Sequence, residues 1–206
     1  MSTLVKNQFD SWMLTPFLKV DVDYLSEETR KLQHLMRSFP SDVKSFGVYV
    51  GLEQEVNNML TTLPLISELR NPAMRLRHWQ ELLEETGKPT DVNPEEESFC
   101  LQQMIELDLH DHVEAVSTIV DKAMKESNID KNLSKIKEVW ETMQFEFEEH
   151  EELHVPLMKV SDEVMEAVED HQMLLQGMAS NRNVAFFSKE VTFWSNVVGA
   201  VDEGIR

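Results

Sequence analysis

"LPLISELRNPAMRLRHWQEL", residues 63–82, combines two prolines, three arginines and a histidine–tryptophan pair within an apolar framework. Asn71-Pro72 predicts the start of a helix, with Asn71 as N-cap and Pro72 at the first helical position, where proline's missing N–H costs nothing. Four apolar side chains of that helix would face a core: Met74, Trp79, Leu82 and Leu83. The segment therefore predicts a helical fold with a buried tryptophan near its centre.

The three arginines of this segment admit two interpretations. Arg70, Arg75 and Arg77 would either form a basic ligand site, or pack their alkyl stems beside the core and pair their guanidinium groups with carboxylates. Packing is favoured, because most apolar stripes at helical spacing are core and most charged rims are solvated.

Apolar residues at helical spacing predict helices before this segment as well. These are expected over Leu4–Leu14, Asp23–Ser38 and Ser41–Thr62, each ended by a proline, the last by Pro64. The third helix would turn four side chains inward: Val43, Phe46, Val50 and either Met59 or Leu60. Gly87 is expected to end the helix that Asn71-Pro72 begins.

The loop "KPTDVNPEEES", Lys88–Ser98, is the best candidate for a boundary, and it divides the chain into helical subdomains 1–87 and 98–206. Beyond it, a helix starting at Val113 is expected to end near Asn128. Ser127 and Asp130 then have the spacing of a capping box that opens the next helix.

Alternating apolar residues predict a β-hairpin near residues 143–160. Met143, Phe145 and Phe147 alternate with polar residues, which is typical of a half-exposed strand, and Val155–Val160 would be its partner. Ser161 then caps a helix that turns five side chains inward: Val164, Val168, His171, Leu175 and Met178.

The last helix has an apolar seam along residues 184–201, with spacings of three and four. It is formed by Val184, Phe187, Val191, Trp194, Val198 and Val201. At about 1.5 Å per residue, the seam is about 26 Å long and suits packing along another helix. It stops close to Arg206 without a cap, so the chain is expected to be a fragment of something longer. The fold class predicted is mainly α, an elongated bundle of roughly eight helices with one small β-hairpin.

The composition of the chain limits the partners and the cellular location that can be expected for it. A net charge of −19 disfavours nucleic acid and anionic membrane as partners. The single cysteine, Cys100, excludes a disulfide framework and suits a reducing compartment, where it would fill a small space in the core. No signal peptide or membrane-spanning stretch is recognisable, so a cytoplasmic location is expected.

The sharpest enzyme-like motif is "HEELH", His150–His154, which fits the H-E-x-x-H pattern of zinc proteases. That chemistry needs both histidines on one face of a helix, whereas this segment lies between two predicted strands and Pro156 follows it. "TGKPT", residues 86–90, lacks the glycine and the hydroxyl residue that a phosphate-binding loop requires. We therefore expect no catalytic residue, no metal and no cofactor in this chain.

Three segments together resemble dynein heavy chains, in the region that leads into and forms the N-terminal part of the linker. They are "LPLISELRNPAMRLRHW", "DKAMKESNIDKNLSKIKEVW" and "EDHQMLLQGMASNRNVAFFSKEVTFW", in that order. The resemblance covers nearly the whole chain and is strongest to axonemal chains of the outer-arm beta type. Its signature residues here are Asn71, Pro72, Arg77, His78, Trp79, Glu126, Trp140, Asp170, His171 and Trp194.

The resemblance implies a mechanical role in ciliary or flagellar movement. In dyneins the linker is a helical arm that crosses the AAA+ ring and moves when the ring binds ATP. The implied partners are that ring and the rest of the linker, with other dynein subunits possible, and the implied location is the cytoskeleton of the axoneme. Trp79, Trp140 and Trp194 would stiffen such an arm. The alternative is an acidic helical adaptor that binds a partner helix through the 184–201 seam.

Overall fold

The computed structural model describes residues 9–88, 93, 94, 96, 98–152 and 154–205. The fold is mainly α with one small two-stranded sheet, which confirms the predicted class. The chain divides into two compact units, Met1–Ala123 and Met124–Arg206. This division differs from the boundary predicted at Lys88–Ser98, because Phe99, Leu101 and Met104 lie in the core of the first unit.

The first unit is built from short helices and one long one. Residues 9–13 are helical, and a 3-10 turn follows at Phe17–Lys19. The α-helices are α1 (Val22–Arg37), α2 (Ser41–Lys44), α3 (Gly47–Leu69), α4 (Leu76–Thr86) and α5 (Leu101–Glu106). After a 3-10 turn at Leu109–Asp111 comes α6 (Val113–Thr142), within which the division between the units falls. Residues 4–8 of the predicted first helix lie outside the described residues.

Helices α1 and α3 pack against each other. The Asp21 carboxylate caps α1 by accepting a hydrogen bond from the Tyr24 N–H at 3.0 Å. The inward positions of α1 include Leu25, Thr29 and Met36. The Thr29 hydroxyl, although buried, donates to the Leu25 carbonyl at 2.6 Å, so its polar group is satisfied.

A helix begins at Ser41 as predicted, but the single helix predicted over Ser41–Thr62 was wrong in its continuity and in its end. The chain forms α2, breaks around Ser45, and then continues as α3 to Leu69 with Pro64 inside the helix. Pro64 removes one backbone hydrogen bond. The helix persists because the residues around the proline are deeply buried: Leu63, Leu65, Ile66 and Leu69.

The inward face predicted for this region was also mostly wrong. Val43, Phe46 and Val50 are exposed, whereas Tyr49 and Val56 are buried and Met59 is buried as predicted. The break at Ser45 changes the phase of the helix, so the apolar pattern read across the break assigned the wrong face.

Helix α4 begins at Leu76, so the predicted start at Asn71-Pro72 was wrong. The Asn71 side chain accepts a hydrogen bond from the Ala73 N–H at 2.9 Å and closes a turn instead. Arg75 occupies the N-cap, and its backbone N–H donates to the Nδ1 atom of His78 at 3.1 Å. Gly87 ends the helix as predicted, with φ 65° in the left-handed region that favours glycine.

The second unit contains the remainder of α6, the hairpin and two more helices. Strands β1 (Glu146–Glu149) and β2 (Pro156–Lys159) pair antiparallel, with Phe147 opposite Met158. Helix α7 is Asp162–Ala179, and α8 is Ser188–Ile205 after a 3-10 turn at Ala185–Phe187. The hairpin prediction is confirmed, although the strand begins at Glu146 rather than Met143.

Helix α6 runs without a break through Ser127 and Asp130, so the predicted capping box at these residues was wrong. The sequence of α6 contains neither glycine nor proline. Beyond the break that was expected near Asn128, the helix continues to turn side chains inward. These are Ile129, Leu133 and Ile136, all buried in the second core.

Helices α7 and α8 follow the predicted pattern. The Val164 N–H donates to the Ser161 hydroxyl at 3.3 Å, which confirms the predicted cap. All five predicted inward positions of α7 are buried: Val164, Val168, His171, Leu175 and Met178. The seam of α8 packs in the same core, with Phe187, Val191, Trp194 and Val198 buried and the two end positions partly buried.

Candidate functional site: a packing joint in each unit

Three aromatic rings meet at the centre of the first unit. Trp79 from α4 lies against Phe17, with ring centroids 5.5 Å apart and planes at 90°, and against Phe99 at 6.0 Å and 81°. Phe17 and Phe99 are themselves 5.5 Å apart. All three side chains are buried. This aromatic triad (Phe17, Trp79, Phe99) joins segments that are far apart in sequence through edge-to-face contacts, which add to the burial of apolar area.

Backbone hydrogen bonds reinforce the triad. The Phe17 N–H donates to the Phe99 carbonyl at 2.8 Å, and the Leu101 N–H donates to the Thr15 carbonyl at 2.9 Å. Residues 15–17 and 99–101 therefore form a short antiparallel bridge beside the rings, and this bridge holds two segments that contain no strand. Cys100 sits in the bridge and is only partly buried, with its N–H donating to the Gln103 side-chain oxygen at 2.8 Å.

Hydrogen bonds from Arg70 connect the end of α3 to the same region. Its Nη1 donates to the Val20 carbonyl at 2.7 Å and its Nη2 donates to the Leu18 carbonyl at 2.8 Å. The guanidinium group thus satisfies carbonyls at the end of the Phe17–Lys19 turn, because its planar fork presents two donors at once. Arg75 likewise donates to a carbonyl, that of Pro72, at 3.0 Å. The predicted pairing of these two arginines with carboxylates was wrong, whereas their structural role agrees with the packing interpretation.

An ion pair between Lys122 and Glu81 connects α6 with α4 inside the first unit. Lys122 and Glu81 approach to 2.7 Å, and both side chains are roughly one-third exposed. The bond therefore lies at the edge of the core, where it contributes modestly to stability.

The second unit has a polar joint between α6 and α7. The indole Nε1–H of Trp140 donates to the Nδ1 atom of His171 at 2.9 Å, and the two rings meet edge to face with centroids 5.9 Å apart. This geometry requires a neutral imidazole with its proton on Nε2. Burial lowers the pKa of the His171 imidazole, and the Asp170 carboxylate opposes part of that change.

The ten signature residues differ in burial and are distributed over both units. His78, Trp79, Glu126, His171 and Trp194 are buried, Asn71, Arg77 and Trp140 are partly buried, and Pro72 and Asp170 are exposed. They are divided between the two units, and the contacts described for them are packing contacts and hydrogen bonds. Sequence reasoning missed Phe17 and Phe99, although the apolar run Phe99-Cys100-Leu101 directly after an acidic loop was a usable signal.

The "HEELH" segment lies between the two strands of the hairpin, and its described residues, 150–152 and 154, are not helical. His154 has φ 49°, and its Nδ1 lies 3.0 Å from the Glu149 carboxylate, while the Nδ1 of His150 accepts from the Glu152 N–H at 3.3 Å. The two histidines therefore do not share a helical face. Among the described residues, no group of three histidine, cysteine, aspartate or glutamate side chains has the geometry to hold a metal ion.

Comparison with known proteins assigns the family. The family model described as "Dynein heavy chain, N-terminal region 2" matches residues 1–206. The chain belongs to the dynein heavy chain family. The resemblance seen in the three sequence segments is thereby confirmed.

Individual relatives are axonemal dyneins. The chain is 38% identical over 196 residues to the dynein beta chain of the flagellar outer arm of Chlamydomonas reinhardtii, covering 94% of this chain and 4% of that one. It is 34% identical over 202 residues to the ciliary dynein beta chain of Tripneustes gratilla, covering 98% of this chain and 4% of that one. Dynein axonemal heavy chain 17 of Homo sapiens is 33% identical over 205 residues, 100% of this chain and 4% of that one.

The chain thus spans about one twenty-fifth of the length of these dynein relatives, within a region that the matching family places near the N-terminus. The relatives are ciliary and flagellar heavy chains, which supports a location in the cytoskeleton of the axoneme. No helix in the described part of the chain combines the length and the apolarity that crossing a bilayer requires.

Proposed function

We propose that this chain is a non-catalytic mechanical segment of the dynein linker, transmitting the ATP-driven change of the AAA+ ring into movement along microtubules. The observation that carries the proposal is the dynein heavy chain match over residues 1–206. The segment works as part of the heavy chain, with the ring and the rest of the linker as its partners. Nucleotide chemistry belongs to the ring, and this segment needs no cofactor of its own.

The packing of each unit supports a load-bearing role. A segment that transmits force must resist local deformation, so its elements should be joined by buried contacts and multiple hydrogen bonds rather than by free loops. The aromatic triad and the two Arg70 bonds join elements of the first unit in this way. In the second unit, α6 and α7 are joined by Trp140 and His171.

The adaptor alternative is disfavoured by the burial of its proposed contact surface. The seam of residues 184–201 packs inside the second unit, where Val191, Trp194 and Val198 are all buried. A partner helix cannot reach these side chains without displacing α8 from its own core. The seam is therefore assigned to the fold.

The proposal is tested in a heavy chain that contains this segment, by measuring ATPase activity and microtubule gliding. Arg70→Met keeps the apolar stem but removes both hydrogen bonds to the Leu18 and Val20 carbonyls. We expect gliding velocity to fall while ATP hydrolysis continues, because the arm yields locally under load. Arg182→Met, at an exposed arginine of the second unit, is the matched control and should leave both activities unchanged.

Two outcomes would contradict the mechanical proposal. Gliding at the normal velocity with a demonstrably loosened first unit would show that its stiffness is not used. Loss of ATP hydrolysis in proportion to velocity would place the effect of Arg70 in the chemical cycle.

A further inference from the structure

The C-terminal half of α1 and the turn that follows differ in charge from the rest of the chain. Residues 30–50 contain four basic side chains, Arg30, Lys31, Arg37 and Lys44, and one acidic side chain, Asp42. This gives a local net charge of +3 in a chain whose net charge is −19. Segregation of this kind creates a local field that attracts acidic partners even though the whole protein is acidic.

The basic side chains form a stripe along the outer face of α1. Arg30, His34 and Arg37 have spacings of four and three, so they lie on one side of the helix over roughly 10 Å. All three are exposed, and their side chains form no hydrogen bond or ion pair with the described part of the chain. A shallow depression on the same face is lined by Glu27, Arg30, Lys31, His34, Leu35 and Ser38.

Lys31 is different from this stripe, because it is neutralised within α1. Its ammonium group lies 2.8 Å from Glu28 and 2.9 Å from Glu27. Hydrogen bonds to Glu28 and then Glu27 hold the pKa of Lys31 above its ordinary value. The positive charge of the stripe therefore comes from Arg30 and Arg37.

Exposed apolar side chains follow the stripe along the chain, from the end of α1 to the first turn of α3. They are Leu35, Val43, Phe46, Val48 and Val50, with Phe46 64% exposed and Val48 71% exposed. The Lys44 ammonium donates to the Arg37 carbonyl at 2.8 Å, which places α2 against the end of α1. Exposed large apolar residues near cations that have no ion pair within the described residues are typical of a protein-binding surface.

We propose that this surface, the basic tip (the Arg30, His34 and Arg37 stripe with Leu35 and Phe46), binds an acidic amphipathic helix of a separate protein. Carboxylates at spacings of three and four on the partner match the stripe. Apolar side chains between them reach Leu35 and Phe46. Specificity comes from charge, since the rest of the chain is acidic and repels the same partner.

The test uses the whole chain and a designed peptide of about 20 residues, long enough for roughly 30 Å of helix. The peptide carries a stripe of glutamates at spacings of three and four with leucines beside it on the same side of the helix, and a control peptide replaces each glutamate with lysine. Binding is measured by fluorescence anisotropy at two salt concentrations. We expect the acidic peptide to bind, the lysine peptide not to bind, and affinity to fall as salt rises.

Two variants and one matched control locate the contact. Arg30→Glu combined with Arg37→Glu should weaken binding about tenfold or more, because two attractions become repulsions. Phe46→Ser should also weaken binding, and it should not unfold the chain, since Phe46 occupies the N-cap of α3 and serine is a favoured N-cap residue. Lys131→Glu combined with Lys135→Glu, at exposed positions of α6, should change nothing.

Three results would overturn the assignment. Equal affinity for the two peptides would show that charge does not select the partner, and undiminished binding by both variants would place the contact elsewhere. Dimerisation of the free chain, abolished by Phe46→Ser in analytical ultracentrifugation, would assign the surface to a second copy instead.

Discussion

The two units differ in the kind of side-chain contacts that form their cores. In the second unit, α7 and α8 bury apolar side chains that repeat every three or four residues, and nearly every position was predictable from that repeat. In the first unit, the centre is the aromatic triad, whose members come from a 3-10 turn, a helix and a loop end. The comparison shows that periodic helices are specified locally, whereas a joint between irregular segments is specified by contacts distant in sequence.

The polar joints follow the same division. Arg70 bonds to carbonyls about fifty residues earlier in the chain, at positions 18 and 20. In the second unit the Trp140–His171 bond joins two regular helices at positions already turned toward the core by their periodicity. The first unit should therefore be the more sensitive to loss of a single side chain.

The largest expected effect is that of Trp79→Ala. Removing a buried tryptophan ring should lower the free energy of unfolding by about 3–5 kcal/mol, because it leaves a cavity and breaks two ring contacts. Thermal or urea denaturation measures the loss. Hydrogen exchange should also speed up at the Phe17 and Leu101 amides, which donate across the adjacent bridge.

Leu76→Ala is the control for this change, since Leu76 lies on the same helix and is 58% exposed. It should alter stability by less than about 0.5 kcal/mol. Unchanged exchange at Phe17 and Leu101 in Trp79→Ala would break the comparison, because the bridge would then not depend on the triad.

The next effect is that of Arg70→Met, at about 1–3 kcal/mol. The variant leaves the Leu18 and Val20 carbonyls without their charged donor, and part of the cost is offset because water reaches this edge of the unit. Chemical denaturation measures the change. Arg70→Lys should recover only part of the stability, since an ammonium group lacks the planar fork; full recovery would show that charge alone suffices.

The smallest effect is a dependence of stability on pH through His171. Its folded pKa is lowered, mainly by burial, so below about pH 6.5 the unfolded chain binds a proton that the folded chain resists. Stability should therefore fall as pH drops from about 6.5 toward the lower folded pKa, by up to about 1.4 kcal/mol per pH unit.

His171→Gln isolates this contribution. The glutamine oxygen can accept from the Trp140 Nε1–H without titrating, so the variant should lose the His171 part of the pH dependence while keeping most of its stability at neutral pH. Identical pH profiles for the two proteins, measured by urea denaturation from pH 5 to 8, would show that His171 titrates alike in the folded and unfolded chains.

The wrong helix boundaries, which occur in both units, have a common physical origin. The breaks predicted at Pro64 and at Ser127 were based on local sequence signals. Helices α3 and α6 nevertheless continue, because the burial of neighbours such as Ile66 and Ile129 stabilises the helix by more than these signals destabilise it. At Asn71-Pro72 the cap residues are real turn residues, but they close a turn before the helix rather than start it. A cap motif identifies a change of backbone direction without stating which residue begins the helix.

The sequence by itself determined the helical class, the hairpin near residues 143–160, the inward faces of α7 and α8, and the resemblance to dynein heavy chains. Those features depend on the order of side chains within a single helix, strand or segment, which can be read directly from the sequence. Only the tertiary structure decided that Phe17 and Phe99 enclose Trp79, that Arg70 bonds backbone carbonyls, and that the basic tip stays exposed. Those features depend on which distant segments meet, and no spacing within one helix encodes that choice.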